Sequence, residues 1–331
     1  MRNDSPITQP HTDDHDFLNT VCAALRRHPR SIPPKFFYDT QGSRLFDLIC
    51  TTPEYYPTRT ETGILERHGA RMVELIGHDC VLIELGSGSA TKTPLLLQHL
   101  DVAAEYVPID ICEPHLIQST QRLQAMYPGL RMHPLCADYT SMPGLPKSVE
   151  GQGRHVVFFP GSTIGNCNPE EAVTLLRHVA ALVGEDGGLL LGVDCKKSPE
   201  ILNAAYNDAA GHTAAFNLNL LQRMQRELGA TLDTAQFQHY AFYNAGLGRI
   251  EMHLISRCAQ LIEINGASFH FAAGESLHTE NSYKYSTHEF QQLARMAGWH
   301  LKTTWRDENN WFDVHYLSRR ATEPRHLPLR T

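Results

Sequence analysis

The feature that most constrains this chain is an alternation between residues 80 and 196, where short apolar runs give way repeatedly to helix-compatible stretches. The first run, Val81-Leu82-Ile83-Glu84-Leu85, ends in Gly86-Ser87-Gly88-Ser89, and a helical pattern follows over Thr91–Leu100. Tyr106–Asp110, Met132–Cys136, His155–Phe159 and Leu189–Asp194 read as further strands, with helices over Glu113–Met126 and Pro169–Val183 between them. Strands that alternate with helices in this way form a parallel sheet covered on both faces. After Lys197 the alternation stops. Gly211–Leu228 is helical and 237–271 reads as successive strands, with turns at Gly246-Leu247-Gly248 and Asn265-Gly266. A helix over Thr287–Ala297 and two strands, His300–Arg306 and Trp311–Ser318, bring back the mixture of sheet and helix.

The expected fold is therefore α/β, a Rossmann-like, mostly parallel sheet with an antiparallel strand at its end and a second α+β domain. The sheet domain is expected over 58–196 plus 287–321, and the second domain over 15–57 plus 198–286. Helices are expected over Asp16–His28, Ser43–Cys50 and Thr58–Ile76, with an aromatic packed loop at 32–39. Residues 1–14 are polar, aperiodic and expected to be disordered.

A strand ending in acid-x-Gly-x-Gly sets two glycines at the carboxyl edge of a sheet, where the backbone turns tightly and a ligand can approach closely. Nicotinamide or flavin chemistry and methyl transfer from S-adenosylmethionine both use this geometry. The dinucleotide fingerprint wants a third glycine where this chain has Thr91, which weakens the nicotinamide reading. Asp110, at the end of the second strand, can accept both hydrogens of a ribose diol. Asp138 can accept from an adenine amino group while Tyr139 packs on the ring; a turn cap is the plain alternative for Asp138. The loop Phe158–Asn166 follows the fourth strand and faces the reacting group. Its Asn166 offers an amide acceptor and two donors, although an asparagine after glycine is also a good helix cap.

Composition removes several function classes. Lys and Arg number 29 against 36 Asp and Glu, a net charge of −7 that argues against a nucleic-acid partner. Apolar runs are too short to span a bilayer and no secretory leader is visible, so a cytoplasmic protein is expected. The eight cysteines are scattered singly and the 19 histidines form no HExxH pair, so no metal is expected.

Six segments carry a resemblance to a known family. Residues 34–43 (PKFFYDTQGS), 52–59 (TPEYYPTR), 84–88 (ELGSG), 158–166, 206–208 (YND) and 279–284 (TENSYK) are similar to the histidine-specific Nα-methyltransferases. These convert L-histidine to its trimethylated betaine, hercynine, in ergothioneine biosynthesis. The resemblance runs from about residue 15 to 320. It implies S-adenosyl-L-methionine as cofactor and L-histidine with its mono- and dimethylated forms as substrates, handled by a monomer. It adds Tyr38 and Lys92 to the cofactor set of Gly86, Gly88, Asp110, Asp138 and Tyr139. It also implies that Tyr38 and Asn166 stand at the reacting centre, and that Tyr56, Asn166 and Tyr206 hold the α-carboxylate and α-amine. Glu280 and Ser282 would grip the two imidazole nitrogens from one side of an extended segment. Asn281 between them, polar where a small apolar residue is expected, should face away. The other readings are a related methyltransferase for a different amino acid or biogenic amine, and a non-catalytic sensor of the same ligands.

Overall fold

The computed structural model describes residues 14–101, 103–141 and 143–320. Fourteen strands occur among them. In chain order the first seven are β1 (Arg30–Ser31), β2 (Val81–Leu85), β3 (Glu105–Asp110), β4 (Arg131–Met132), β5 (Leu135–Cys136), β6 (His155–Phe159) and β7 (Gly188–Asp194). Then follow β8 (Phe237–Asn244), β9 (Arg249–Ser256), β10 (Gln260–Ile264), β11 (Ala267–Phe271), β12 (Ser276–Tyr283), β13 (His300–Arg306) and β14 (Phe312–Ser318).

The large sheet has the order β13-β14-β7-β6-β2-β3-β4, with β5 also pairing to β3. Strands β2 to β7 pair in parallel, and β14 and β13 close the edge antiparallel. This is the Rossmann-like, mostly parallel sheet with an antiparallel end expected from the alternating pattern. Side chains alternate between two buried layers, as the period of a strand requires. Val81, Ile83, Leu85, Val157 and Phe159 face one cluster, and Leu82, Tyr106, Val156 and Phe158 the other. The carboxyl ends of β2, β3, β5, β6 and β7 therefore meet at one edge, where ligands of open α/β sheets bind.

A second sheet, β1-β12-β9-β8, is antiparallel except for its parallel β1–β12 edge. Its core joins the helix His212–Leu228 to the aromatic segment around Phe36 and Phe37. That segment opens the helix Thr40–Thr51, capped by Asp39, whose carboxylate accepts from the Gly42 N–H at 2.6 Å.

Several local expectations shift. The stretch 132–136 splits into two two-residue strands, because Pro134 has no N–H to give a ladder. The helix expected over Thr91–Leu100 shrinks to Pro94–Leu97, entered at Pro94. The helix expected from Thr58 begins at Tyr56, with Pro57 in its first turn. Helix Pro199–Ala205, with Ser198 as cap, and strand β1 were not foreseen. The expectation of disorder for 1–14 falls outside the described residues, save Asp14, which begins the helix Asp14–Arg26. No described helix is long and apolar enough to cross a membrane, and no described cluster of His, Cys, Asp and Glu could hold a metal. All eight cysteines are free.

Candidate active site

The carboxyl edge of the large sheet opens into a cavity of about 1260 Å³, and a smaller chamber of about 40 Å³ lies behind it. Tyr38, Phe46, Tyr55, Gly161 and Asn166 line both spaces and form the neck between them.

On the sheet side the turn after β2 takes Gly86 and Gly88 through the left-handed region, φ 65° and 48°. A Cβ on Gly88 would meet nothing within 4 Å, so the turn faces open space on its ligand side. Asp110 ties the turn to β3: its carboxylate accepts from Gly88 N–H at 2.8 Å and Cys112 N–H at 2.9 Å. Burial pushes its pKa up, partly offset by these donors. Each oxygen keeps a further lone pair toward the cavity. Tyr139 also lines this space, edge-on to Phe159 with ring centroids 5.5 Å apart. Asp138 caps its own turn through the Thr140 N–H at 2.9 Å while its other oxygen accepts from Lys35 at 3.3 Å. The cap and the cavity position thus coexist. Lys92 lines the cavity too, but pairs with the fully buried Glu61. Glu61 in turn accepts from the Gly161 N–H at 2.8 Å, so this ion pair ties the acceptor loop to the glycine turn. Glu84 points into the core, where Thr93 donates to it at 2.8 Å and Tyr106 also donates.

At the neck, the Tyr38 ring is edge-on to Phe46 at 5.8 Å and Phe216 at 5.6 Å. Burial holds the Tyr38 and Tyr55 phenols well above their usual pKa, so both remain protonated. Asn166 closes the short 3-10 turn Thr163–Asn166. The preceding Gly165 lies so close to β12 that a Cβ there would come within 2.7 Å of the Tyr283 carbonyl oxygen. That contact sets the Asn166 loop directly against the strand bearing Glu280. Among the described residues no hydrogen-bond partner engages the Tyr38 or Tyr55 hydroxyl or the Asn166 amide.

Glu280 and Ser282 both line the chamber, while Asn281, on the other face of β12, lines the large cavity and donates to Asn168 at 3.2 Å. A bulge at Thr279 shifts the register before Glu280; the Thr279 hydroxyl donates to Asn217 at 2.8 Å. Glu280 is 8% exposed, and no described side chain donates to its carboxylate. Burial lifts its pKa from 4.5 to about 7, against the pull of the Lys284 ammonium.

Behind the chamber lies a buried charge cluster. Asp194, at the end of β7, pairs with Lys284 at 2.7 Å and with Lys197. Burial alone would raise the Asp194 pKa, but the two ammoniums hold it below the carboxylate range. The Tyr56 hydroxyl donates to Asp194 at 2.7–2.8 Å and accepts from Lys197 at 2.6 Å. The sequence reading put Tyr56 on the substrate; the structure sets its hydroxyl in this cluster and lines both spaces with Tyr55 instead. Consecutive residues at the start of a helix diverge by about a quarter turn or more, and nothing in Tyr55-Tyr56 says which ring faces the cleft. Tyr206 lines the chamber, and its hydroxyl donates to Ser282 at 2.7 Å and accepts from Lys284 at 3.0 Å. His253 pairs with Glu251 at 3.2 Å; neither it nor His212 lines either space.

A glycine turn with Thr91 in place of a third glycine, an acid at the end of the second parallel strand and a loop after β6 fit an S-adenosylmethionine-dependent methyltransferase, and the family match makes it one. The chain belongs to the family of histidine-specific, SAM-dependent methyltransferases, whose model matches residues 17–319. It is 39% identical over 292 residues to a histidine N-alpha-methyltransferase of Mycolicibacterium smegmatis, covering 87% of this chain and 90% of that one. A histidine N-alpha-methyltransferase of Mycobacterium tuberculosis is 37% identical over 300 residues, 89% and 92% of the two chains. Ergothioneine biosynthesis protein 1 of Neurospora crassa is 29% identical over 309 residues, which span 88% of this chain and 33% of that protein.

Proposed function

We propose that this enzyme methylates the α-amino group of L-histidine three times to give hercynine, a step of ergothioneine biosynthesis. The observation that carries this is the set of polar groups left without protein partners around one neck and chamber: the Tyr38 and Tyr55 hydroxyls, the Asn166 amide and the Glu280 carboxylate. Tyr55 and Glu280 are buried and Tyr38 and Asn166 half-buried, and all four line the neck or the chamber, so their unpaired polar groups are placed to meet a ligand there. Its chemistry is sorted by depth. The neck is neutral and aromatic, whereas the chamber offers a carboxylate and a hydroxyl two residues apart on one strand face.

In this reading residues 58–196 and 287–321 form the cofactor domain, and 15–57 with 198–286 the substrate domain. Gly86 and Gly88 let the cofactor approach the backbone, Asp110 accepts from its ribose, and Asp138 and Tyr139 receive its base. Lys92, held by Glu61, supplies a cation to the cofactor cavity. When bound, S-adenosylmethionine supplies an electrophilic methyl group. Tyr55 and Asn166 fix the α-carboxylate and amine through neutral donors and acceptors, and Tyr38 orients the amine at the junction. Positioning of this kind supplies much of the rate of a group transfer. Tyr206 contributes its ring face and its bond to Ser282, and Glu280 and Ser282 hold the imidazole. The protein works as a cytoplasmic monomer on small molecules, without a nucleic-acid partner.

Mass spectrometry of histidine incubated with the enzyme and S-adenosylmethionine tests the proposal. A gain of three methyl groups on the α-nitrogen is expected; no gain, or methylation on the ring, refutes it.

A further inference from the structure

Residues 280, 282 and 284 of β12 and its extension share one face, and the third of them, Lys284, is 2% exposed. Its ammonium has three protons and three partners: Asp194 Oδ2 at 2.7 Å, Ser282 Oγ at 2.9 Å and Tyr206 Oη at 3.0 Å. The Tyr206 hydroxyl lies 2.7 Å from the same Ser282 oxygen. A phenol is the more acidic of the two hydroxyls, so Tyr206 donates and Ser282 accepts. A serine oxygen has two lone pairs. Here Lys284 fills one and Tyr206 the other. Ser282 keeps only its proton to offer, and no described protein group accepts it. Two residues away, Glu280 presents a carboxylate with no protein donor.

We infer that Lys284 is a positioning residue that turns Ser282 into an obligate hydrogen-bond donor, so that the chamber selects a neutral imidazole ring in a single tautomer. This rests on the assignment of the chamber to the imidazole. A ring matched to the pair has one N–H for Glu280 and one bare nitrogen for Ser282. Imidazolium, with two N–H groups, would set a donor against the Ser282 proton. An indole ring, whose N–H only donates, would leave that proton unmatched. Lys284 touches no reacting atom in this scheme; it fixes the polarity of a group that touches the substrate.

The cluster tolerates removal of Lys284 electrostatically, because Asp194 keeps Lys197 and the Tyr56 hydroxyl as partners. In Lys284→Met a lone pair is freed on both Ser282 and Tyr206. The Ser282 proton can then turn back to Tyr206, and the serine can present either polarity. Loss of the ammonium also changes Glu280, but that change is common to all rings carrying an N–H and cancels in a ratio.

The experiment is calorimetric titration of the full-length enzyme, saturated with S-adenosylhomocysteine, with L-histidine and with a pyrrolylalanine whose ring keeps an N–H but lacks the bare nitrogen. The native enzyme should bind the analogue about 10–100-fold more weakly than histidine, the usual consequence of one unmatched buried polar group. In Lys284→Met the ratio should fall at least about 5-fold toward unity. Tyr206→Phe frees the other lone pair and should act in the same direction; it serves should Lys284→Met not fold, which thermal melting reports. Ser282→Ala should abolish the ratio. Ser282→Ala with loss of the ratio, while Lys284→Met or a folded Tyr206→Phe retains it, overturns the inference about Lys284 alone. Retention of the ratio in Ser282→Ala shows that the ring does not sit on Ser282, and removes the chamber assignment as well.

Discussion

Replacing Glu280 by Gln should weaken the enzyme and strengthen the fold, and the two effects separate by pH. The carboxyl ordinarily titrates near 4.5; burial in the chamber raises it to about 7, and the Lys284 ammonium only partly offsets that. A carboxyl with a raised pKa in the folded state holds its proton where the unfolded chain has already released it. Its contribution to stability is full below about pH 4.5 and is lost as pH rises toward about 7, levelling off above that. The displacement corresponds to about 3 kcal/mol, at 1.36 kcal/mol per tenfold change in proton affinity. A glutamine amide cannot ionise, so the stability of Glu280→Gln relative to the native protein should climb by up to about 3 kcal/mol between about pH 5 and pH 8. Any constant cost of burying the amide shifts the whole curve and leaves the slope intact. Glu84, also raised to about 7 by burial despite its bonds from Tyr106 and Thr93, titrates alike in both proteins and cancels. Urea unfolding of both proteins across this range, without ligands, measures the difference. A difference flat with pH would mean that the Glu280 carboxylate carries no burial cost, and would remove the argument that it waits for a donor. Histidine turnover should fall about 10–100-fold at the same time, the usual loss for one charged hydrogen bond.

Other outcomes follow from the same geometry. Tyr55→Phe should lower kcat/KM for histidine about 5–20-fold with little change in stability, because its hydroxyl has no protein partner. Tyr56→Phe should do the reverse, costing about 1–3 kcal/mol in unfolding experiments by stripping a donor from Asp194, with a smaller effect on KM. Equal kinetic losses in both would erase the distinction between the two rings. Asn166→Ala should reduce turnover about 10–100-fold while S-adenosylhomocysteine affinity by calorimetry stays within about 3-fold. Asp110→Asn should instead weaken S-adenosylhomocysteine binding by about 10-fold or more, since the charged acceptor holding the Gly88 turn is lost. Unchanged cofactor affinity there would detach Asp110 from the cofactor.

The sheet was legible because its strands are nearly continuous apolar runs, and β2 and β7 are buried at every position. Periodicity also exposed the long helices Glu113–Met126 and Pro169–Val183. It failed where a single residue decides, as at Pro134, whose missing N–H splits a strand. The cofactor side could be read from local order, since Gly86, Gly88 and Asp110 sit at strand ends whose direction the pattern fixes. The substrate side could not. Tyr55 and Tyr56 are indistinguishable neighbours until packing separates them, and only the resemblance pointed to Glu280. Asp194, Lys197 and Lys284 went unread because a buried charge cluster has no signature in sequence. Lys284 ends a polar stretch, Asn281-Ser282-Tyr283-Lys284, that would pass for a solvated strand, yet it is almost fully buried.

That cluster accounts for the order of charges across the site. Methylating an amine three times ends in a fixed cation, and each round begins from a nitrogen that must be unprotonated to react. A carboxylate beside the amine would stabilise the ammonium and slow every round. The neck avoids this with two phenols, an amide and the ring of Phe46, aromatic groups of a kind that tolerate a cation at about 0.5–2 kcal/mol per ring contact. Apart from the mutually neutralised Lys92–Glu61 pair that holds Gly161, formal charge lies one layer deeper. There Asp194 is neutralised twice over, by Lys197 and Lys284, and the surplus positive charge stands behind Ser282 and Tyr206 rather than beside the amine. The surplus favours ionised Glu280, which needs such help to accept from a ring N–H after losing its water. The positive charge that helps the chamber grip a neutral ring is thus kept apart from the neck, where the product cation must form and leave.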